Sequence, residues 1–107
     1  MTKDIYKITN LINNKIYIGQ SVNTKHRWEQ HVSASKHNPK MIIDKAIKKY
    51  GEENFIVELI EKTEQYDERE QYWISHYNST DHNIGYNICT GGGTVGAGIQ
   101  LVQLLHL

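Results

Sequence analysis

The 107-residue chain has one cysteine, one proline and one phenylalanine, and it contains no long apolar run. The single cysteine, Cys89, excludes an internal disulfide and any zinc site built from several cysteines. No stretch approaches the ~20 apolar residues that a membrane span needs, and the first ten residues lack the apolar core of a signal peptide. We therefore expect one intracellular domain with a modest core and no membrane partner.

Neither sign of charge is in excess overall, since twelve Lys and Arg balance twelve Asp and Glu, but the two halves of the chain differ. Residues 1–50 contain ten Lys or Arg against three acids, and residues 51–107 contain two against nine. This asymmetry is compatible with a basic face that meets a polyanion. Folding can also mix the two halves again, so the pattern alone leaves both interpretations open.

Three segments have the β-branched or alternating composition of strands. Residues 5–9 and 15–18 flank a polar centre, residues 10–14, whose Asn-Asn pair tolerates positive φ. They predict an antiparallel hairpin with a short loop. Residues 54–60 predict a third strand.

Three other segments have the signals of helices. Ser21 or Asn23 can cap a first helix, which we predict over residues 24–35. Pro39 stands where the second helix can begin, and residues 41–50 place apolar side chains at helical spacing.

The third helix is predicted over residues 67–77. The order β-β-α-α-β-α predicts an α+β fold, with a small, mostly antiparallel, three-stranded sheet flanked by helices. We assign residues 1–93 to this domain and residues 94–107 to a glycine-containing linker and an apolar tail.

A few polar and aromatic side chains are candidates for chemistry. A hairpin can bring Tyr6 and Tyr17 to one face, although tyrosines in a hairpin usually just pack. Arg27 and His31 lie one helical turn apart, and they offer a planar fork for phosphate and a proton acceptor near neutral pH. A solvated helix face gives the same spacing. Glu70 adjoins the inner face of the third helix, where a carboxylate needs a hydrogen-bond partner or a cation.

Taken in order, these groups resemble the GIY-YIG nuclease superfamily. The two half-motifs stand as Asp4-Ile5-Tyr6 and Tyr17-Ile18-Gly19, with the tyrosines eleven positions apart. Behind them come Arg27-x-x-x-His31, Ala46-Ile47-Lys48-Lys49-Tyr50-Gly51 with Asn54-Phe55, Glu68-Arg69-Glu70-Gln71-Tyr72-Trp73-Ile74, and Gly85-Tyr86-Asn87. The similarity extends from residue 4 to about residue 93, and the chain looks most like the homing endonucleases of phages and introns.

The resemblance implies a metal-dependent DNA endonuclease. Because a small domain has one active site, we expect it to nick its substrate, and without a second domain we expect low sequence specificity. The catalytic residues it implies are Tyr6, Tyr17, Arg27, His31, Glu70 and Asn87. Glu70 would bind Mg²⁺ or Mn²⁺, Arg27 would contact the scissile phosphate, and Asn87 would be a supporting polar residue. We favour Tyr6 as the base that deprotonates water, with His31 receiving its proton and Tyr17 orienting water or phosphate. The sequence leaves the two tyrosines interchangeable in these roles.

DNA backbone contacts are expected from a set of basic side chains that follows the hairpin: Lys25, Lys36, His37, Lys40, Lys45, Lys48 and Lys49. Contacts of this kind do not depend on base sequence. A homodimer stays open as a route to double-strand cleavage. If a phage or virus encodes the chain, the expected location is the cytoplasm of the host cell.

Two features depart from the family pattern. Asp4 stands where the family has Gly, and it could bring an extra negative charge near the phosphate. Homing relatives continue past the glycine-rich stretch into DNA-binding modules, whereas here residues 99–107 are mostly apolar. The alternative function is therefore a catalytically impaired module that binds DNA or another partner.

Overall fold

The computed structural model describes residues 1–88, so the predictions for Cys89, the boundary at residue 93 and the apolar tail lie outside it. The strands are β1 (Lys3–Asn10), β2 (Ile16–Ser21) and β3 (Phe55–Thr63). The helices are α1 (Thr24–Lys36), α2 (Ile42–Tyr50) and α3 (Tyr66–Tyr77), with a short 3₁₀ turn at Glu52–Asn54. This order confirms the predicted α+β fold.

The sheet has the strand order β2-β1-β3, and both neighbouring pairs are antiparallel. In the β1–β2 hairpin, Tyr6 lies opposite Gly19 and Ile8 lies opposite Tyr17. The two tyrosines are therefore diagonal neighbours on one face of the sheet, which is the arrangement that lets large rings meet. In the connecting loop Asn14 has a φ of 65°, as expected for an asparagine in a tight turn.

Successive residues of β1 point to opposite sides of the sheet. Ile5, Tyr6 and Ile8 are all buried, so both faces of the sheet are covered. Tyr6 and Ile8 face α2 and belong to a core cluster with Ile43, Ala46, Ile47, Phe55 and Tyr86. On the other face Ile5 packs with Ile18 and with Ile74 of α3. Tyr66, Trp73 and Tyr77 surround this second cluster, so this side of α3 faces the sheet.

The first helix begins as the sequence indicates. The side chain of Asn23 accepts a hydrogen bond from the backbone N–H of His26 at 3.0 Å, so Asn23, and not Ser21, is the N-cap.

The range 41–50 predicted for the second helix agrees with the structure to within one residue, although the helix does not begin at Pro39, where the sequence allowed a start. The helix begins at Ile42, with Met41 at the N-cap in an extended conformation. Asn38 takes a positive φ of 59°, which turns the chain out of a helical path and leaves Pro39 in the connection. None of the helices within residues 1–88 is both long enough and apolar enough to cross a membrane.

Candidate active site

Tyr6 lies at the centre of a buried polar cluster. Its hydroxyl oxygen is 3.0 Å from Nε2 of His31, and both side chains are almost fully buried, at 2% and 1% exposure. The ring of Tyr17 is 6.4 Å from that of Tyr6 and 5.7 Å from that of His31, measured between centroids. The structure therefore brings both tyrosines and the histidine together, and a solvated position for His31 is excluded.

His31 has a second partner, Asp44, which the sequence analysis missed. Nδ1 of His31 lies 2.6 Å from Oδ1 of Asp44, and this carboxylate is 4% exposed on α2. A signal for it does exist in the sequence. Asp44 follows Ile43 directly and precedes Ile47 by one turn, so it adjoins the buried stripe of its helix as Glu70 does.

Burial has the largest effect on how these groups titrate. It raises the pKa of Tyr6 to about 12, although the charge and hydrogen bonding of Arg27 act in the opposite direction. The pKa of Tyr17 is also raised by burial, and Tyr6 and Glu70 add to the effect. Burial lowers the pKa of His31 and outweighs the hydrogen bond to Asp44, which raises it. At neutral pH the cluster therefore contains neutral tyrosines beside a neutral imidazole.

Arg27 lies one turn before His31 on α1 and is partly exposed. Its guanidinium donates to Oε1 of Gln30 at 3.2 Å and reaches Sδ of Met41 at 3.8 Å. Within residues 1–88 it makes no ion pair with an acidic side chain. Its charge is therefore placed beside the Tyr6 hydroxyl and is available to an anionic ligand.

Glu70 lies on α3 with 9% exposure and lines a cleft of about 410 Å³ together with Tyr17, Lys40 and Asn87. Its Oε1 accepts a hydrogen bond from Nε2 of Gln20 at 2.9 Å, and the same nitrogen donates to Oδ1 of Asp67 at 2.9 Å. Gln20, which the sequence analysis also missed, therefore orients the Glu70 carboxylate toward the cleft.

The chemistry of this donor set fits a hard divalent cation. Within residues 1–88, no cluster of three or more His, Cys, Asp or Glu side chains could hold a metal ion. Mg²⁺ commonly takes one or two protein carboxylates and completes its shell with water and phosphate oxygens. A single carboxylate such as Glu70, held in place at the wall of a cleft, satisfies that requirement.

Asn87 is bonded to the backbone of β2. Its Oδ1 accepts from the N–H of Ile18, and its Nδ2 donates to the carbonyl of the same residue, both at 2.9 Å. Ile18 separates Tyr17 from Gly19, so this pair of bonds fixes the strand that presents Tyr17.

Comparison with known proteins places this geometry in a family. The model of the GIY-YIG catalytic domain matches residues 3–87. The chain belongs to the GIY-YIG family. It is 30% identical over 93 residues to intron-associated endonuclease 1 of Enterobacteria phage T4, which is 82% of this chain and 37% of that protein. The chain thus spans little more than a third of the length of this curated relative.

Two solved structures have the same fold as this GIY-YIG chain. The catalytic domain of the intron endonuclease I-TevI, in a mutant form, has a TM-score of 0.71 at 28% identity and covers 85% of the chain. A second structure of the catalytic domain of the homing endonuclease I-TevI has a TM-score of 0.67 at 32% identity and covers 80%. In each comparison the match includes 97% of the solved domain.

Asp4, which stands where the first GIY-YIG half-motif has glycine, forms hydrogen bonds that link β1 to α1 and β3. Its Oδ2 accepts from the backbone N–H and the hydroxyl of Thr24, at 3.0 and 2.7 Å, and its Oδ1 accepts from Nζ of Lys62 at 2.7 Å. The carboxylate therefore holds the start of α1 and is paired with a cation. The expected extra negative charge near the phosphate is balanced by Lys62.

The basic residues predicted to contact DNA are all exposed. Lys45, Lys48 and Lys49 lie on the outer side of α2, and Lys40 lines the cleft beside Glu70. Lys36 is 3.4 Å from a carboxylate oxygen of Glu52, so part of its charge is already balanced. Lys25 and His37 lie at or near opposite ends of α1.

Proposed function

We propose that this GIY-YIG domain hydrolyses phosphodiester bonds in DNA with Mg²⁺ or Mn²⁺ bound at Glu70, and that it nicks one strand. The observation that carries the proposal is the 3.0 Å contact between the Tyr6 hydroxyl and the buried His31 ring, with Tyr17 and Arg27 beside it. The names of the relatives, an intron-associated endonuclease and a homing endonuclease, support the same chemistry.

The roles follow from the positions of the side chains. Arg27 binds the phosphate and offsets the negative charge that builds on it in the transition state. The oxygen of Tyr6 takes a proton from the attacking water while its own proton passes to Nε2 of His31. The new bond from water oxygen to phosphorus forms as the bond to the leaving oxygen breaks, and the leaving oxygen takes a proton from solvent. A divalent cation at Glu70 would supply Lewis acidity to the phosphate and the leaving oxygen.

The raised pKa of Tyr6 favours a concerted transfer over a resting tyrosinate. An ionised Tyr6 would be rare near neutral pH because its pKa is about 12. The proton must therefore leave Tyr6 as the water proton arrives, and a neutral His31 within hydrogen-bonding distance makes this exchange feasible. Tyr17, whose ring contacts both groups, lines the cleft and orients the water or the phosphate.

Binding to DNA would rest mainly on the phosphate backbone. Lys45, Lys48 and Lys49 on α2 and Lys40 at the cleft supply contacts that do not read base sequence. We therefore propose low sequence preference for this domain. One active site per chain favours a nick, and a double-strand break would need a second copy or a second encounter.

Plasmid nicking tests the proposal directly. Supercoiled DNA is incubated with the purified chain in Mg²⁺ or Mn²⁺ and in a chelator, and the wild type is compared with Arg27→Ala. The matched control is Arg69→Ala, because Arg69 pairs with Glu61 at 2.6 Å, outside the Tyr6–His31–Arg27 cluster. We expect nicked circles with metal only, a loss of about 100-fold or more in Arg27→Ala, and no loss in Arg69→Ala.

Two outcomes would contradict the proposal. Equal cleavage by the wild type and Arg27→Ala would remove the phosphate-binding role. Retardation of DNA on a gel, without cleavage at any concentration of either metal, would favour the alternative of a DNA-binding module.

A further inference from the structure

Asp44 is a buried acid that the proposed reaction, as described above, does not use. It lies in the first turn of α2, and its Oδ1 is 2.6 Å from Nδ1 of His31. A carboxylate can only accept a hydrogen bond, so the proton in this contact belongs to Nδ1. In a neutral ring the other nitrogen, Nε2, is then an acceptor.

The tautomer determines what Tyr6 can do. Nε2 of His31 lies 3.0 Å from the Tyr6 oxygen, and an unprotonated Nε2 can receive only the tyrosine's own proton. If the ring carried its proton on Nε2 instead, it would donate to Tyr6 and could not take a proton from it. The direction of the Tyr6–His31 hydrogen bond is therefore set by the contact that Nδ1, on the opposite side of the ring, makes with Asp44.

We infer that Asp44 is a positioning residue, which holds His31 in the Nδ1–H tautomer and so makes it the proton acceptor of Tyr6. The inference rests on the proposed hydrolytic function for its consequence, and on the two distances for its geometry. The resulting line Tyr6–His31–Asp44 joins three elements, β1, α1 and α2, through contacts that span 25 and 13 positions of the sequence.

Asp44 would also stabilise the ring once it is charged. When the proton of Tyr6 reaches Nε2, an imidazolium forms in a buried site, where charge without a partner is costly. The groups that face His31 are Tyr6 from β1, Tyr17 from β2, Arg27 from its own helix and Asp44 from α2. Among these four, Asp44 carries the negative charge that favours the imidazolium, and the positive charge of Arg27 opposes it.

A purely structural role is the competing explanation. An acid in the first turn of a helix interacts favourably with the helix dipole, and a buried hydrogen-bonded carboxylate stabilises the fold whatever it touches. That role would change stability when Asp44 is replaced. It would not determine which ring nitrogen of His31 carries the proton, or where the rate begins to fall with pH.

The tautomer can be measured without any variant. In the ¹⁵N-labelled wild-type protein, above the pH at which His31 titrates, we expect its ring spectrum to show Nδ1 protonated and Nε2 bare. A protonated Nε2 would overturn the inference. This measurement needs no DNA and no metal, so it decides the geometry even if the chain proves not to cleave DNA.

The variants Asp44→Asn and Asp44→Glu test the consequence for catalysis. Asp44→Asn keeps the size but removes the charge, and we expect kcat to fall about 100-fold with little change in KM. The acid limb of its pH–rate profile should move to lower pH, because the carboxylate raises the pKa of His31. Asp44→Glu should restore part of the rate. The matched control is Glu61→Gln, which removes a carboxylate that pairs with Arg69 at 2.6 Å, outside the Tyr6–His31–Arg27 cluster, and should retain the wild-type rate.

The possible outcomes distinguish a failure of the Asp44 inference from a failure of the nuclease proposal. An Asp44→Asn enzyme that cleaves DNA at the wild-type rate, with an unmoved acid limb, would overturn the inference while leaving the nuclease proposal intact. If Asp44→Asn does not fold, as judged by circular dichroism, the wild-type ring spectrum and the rate of Asp44→Glu still decide. An Asp44→Glu enzyme with no activity and a protonated Nε2 would also count against it.

Discussion

Gly19 offers a test of why the second half-motif ends in glycine. A Cβ built at this position would overlap Cζ and the hydroxyl oxygen of Tyr6 and would lie 2.9 Å from Cε1. Carbon atoms normally approach to about 3.5–4.0 Å, so in Gly19→Ala the phenol ring must retreat by roughly 1 Å. That shift would move the hydroxyl out of its present 3.0 Å contact geometry with His31.

The expected effect on activity is much larger than the effect on stability. Overpacking a well-filled site usually costs about 1–3 kcal/mol, whereas a displacement of ~1 Å in a reacting group can cost about 100-fold in rate. We therefore expect Gly19→Ala to fold, to lose about 1–3 kcal/mol in urea denaturation, and to nick plasmid about 100-fold more slowly than the wild type at a temperature well below its transition.

Gly51→Ala is the matched control. Gly51 ends α2 with a φ of 91°, a backbone conformation that strains an alanine by about 1–3 kcal/mol, and it does not contact Tyr6. It should lose as much stability as Gly19→Ala and keep its nicking rate. The reasoning is refuted if Gly19→Ala cleaves as fast as the wild type, or if the two variants lose activity in parallel with their stability.

Three further outcomes follow from the described contacts. The nicking rate should rise with pH as His31 loses its proton. Because burial lowers the pKa of His31, the midpoint of this rise should lie below the ordinary histidine pKa of about 6.5. A rate that is flat across the acid range would argue against His31 as the proton acceptor. Tyr86→Phe should lose about 1–3 kcal/mol in urea, because the buried Asn10 amide donates to the Tyr86 hydroxyl at 3.0 Å; an unchanged midpoint would show that another partner replaces it. Burial raises the pKa of Asp4, but hydrogen bonds from Lys62 and Thr24 lower it overall. Asp4 therefore stabilises the fold above its unfolded pKa of about 3.9, and this stabilisation is lost as the pH falls through its folded pKa. If Asp4→Asn loses the same stability at pH 3 as at pH 7, that linkage is wrong.

The elements of the fold could be predicted because their signals are local. The alternation in residues 5–9 and 15–18 and the asparagines between them predict the hairpin. Its register, which decides whether Tyr6 and Tyr17 share a face, was left open by the sequence and is given by the structure. The apolar spacing of α2 and α3 identifies the faces that cover the sheet. The start of α2 was predicted to within one residue from the apolar spacing of residues 41–50, whereas the sequence did not show that the left-handed Asn38 keeps Pro39 out of the helix.

The contacts between different elements were harder to predict from the sequence. Asp44 on α2 meets His31 on α1, and Gln20 on β2 meets Glu70 on α3, so no local spacing connects either pair. For Asp4, which stands where the family has glycine, the sequence indicated only that it could bring an extra negative charge near the phosphate. Its actual position depends on Lys62, 58 residues away in the sequence, which became its neighbour only when β1 and β3 paired.

Single-turnover cleavage of supercoiled plasmid by Glu70→Gln, measured across a Mg²⁺ titration beside Glu68→Gln, tests the central claim most directly. Both changes remove one negative charge from α3, but Glu70 lines the cleft and Glu68 is exposed. We predict that Glu70→Gln loses about 100-fold or more in rate at every Mg²⁺ concentration, and that Glu68→Gln matches the wild type. Equal rates for the two variants would contradict a nuclease site built around Glu70.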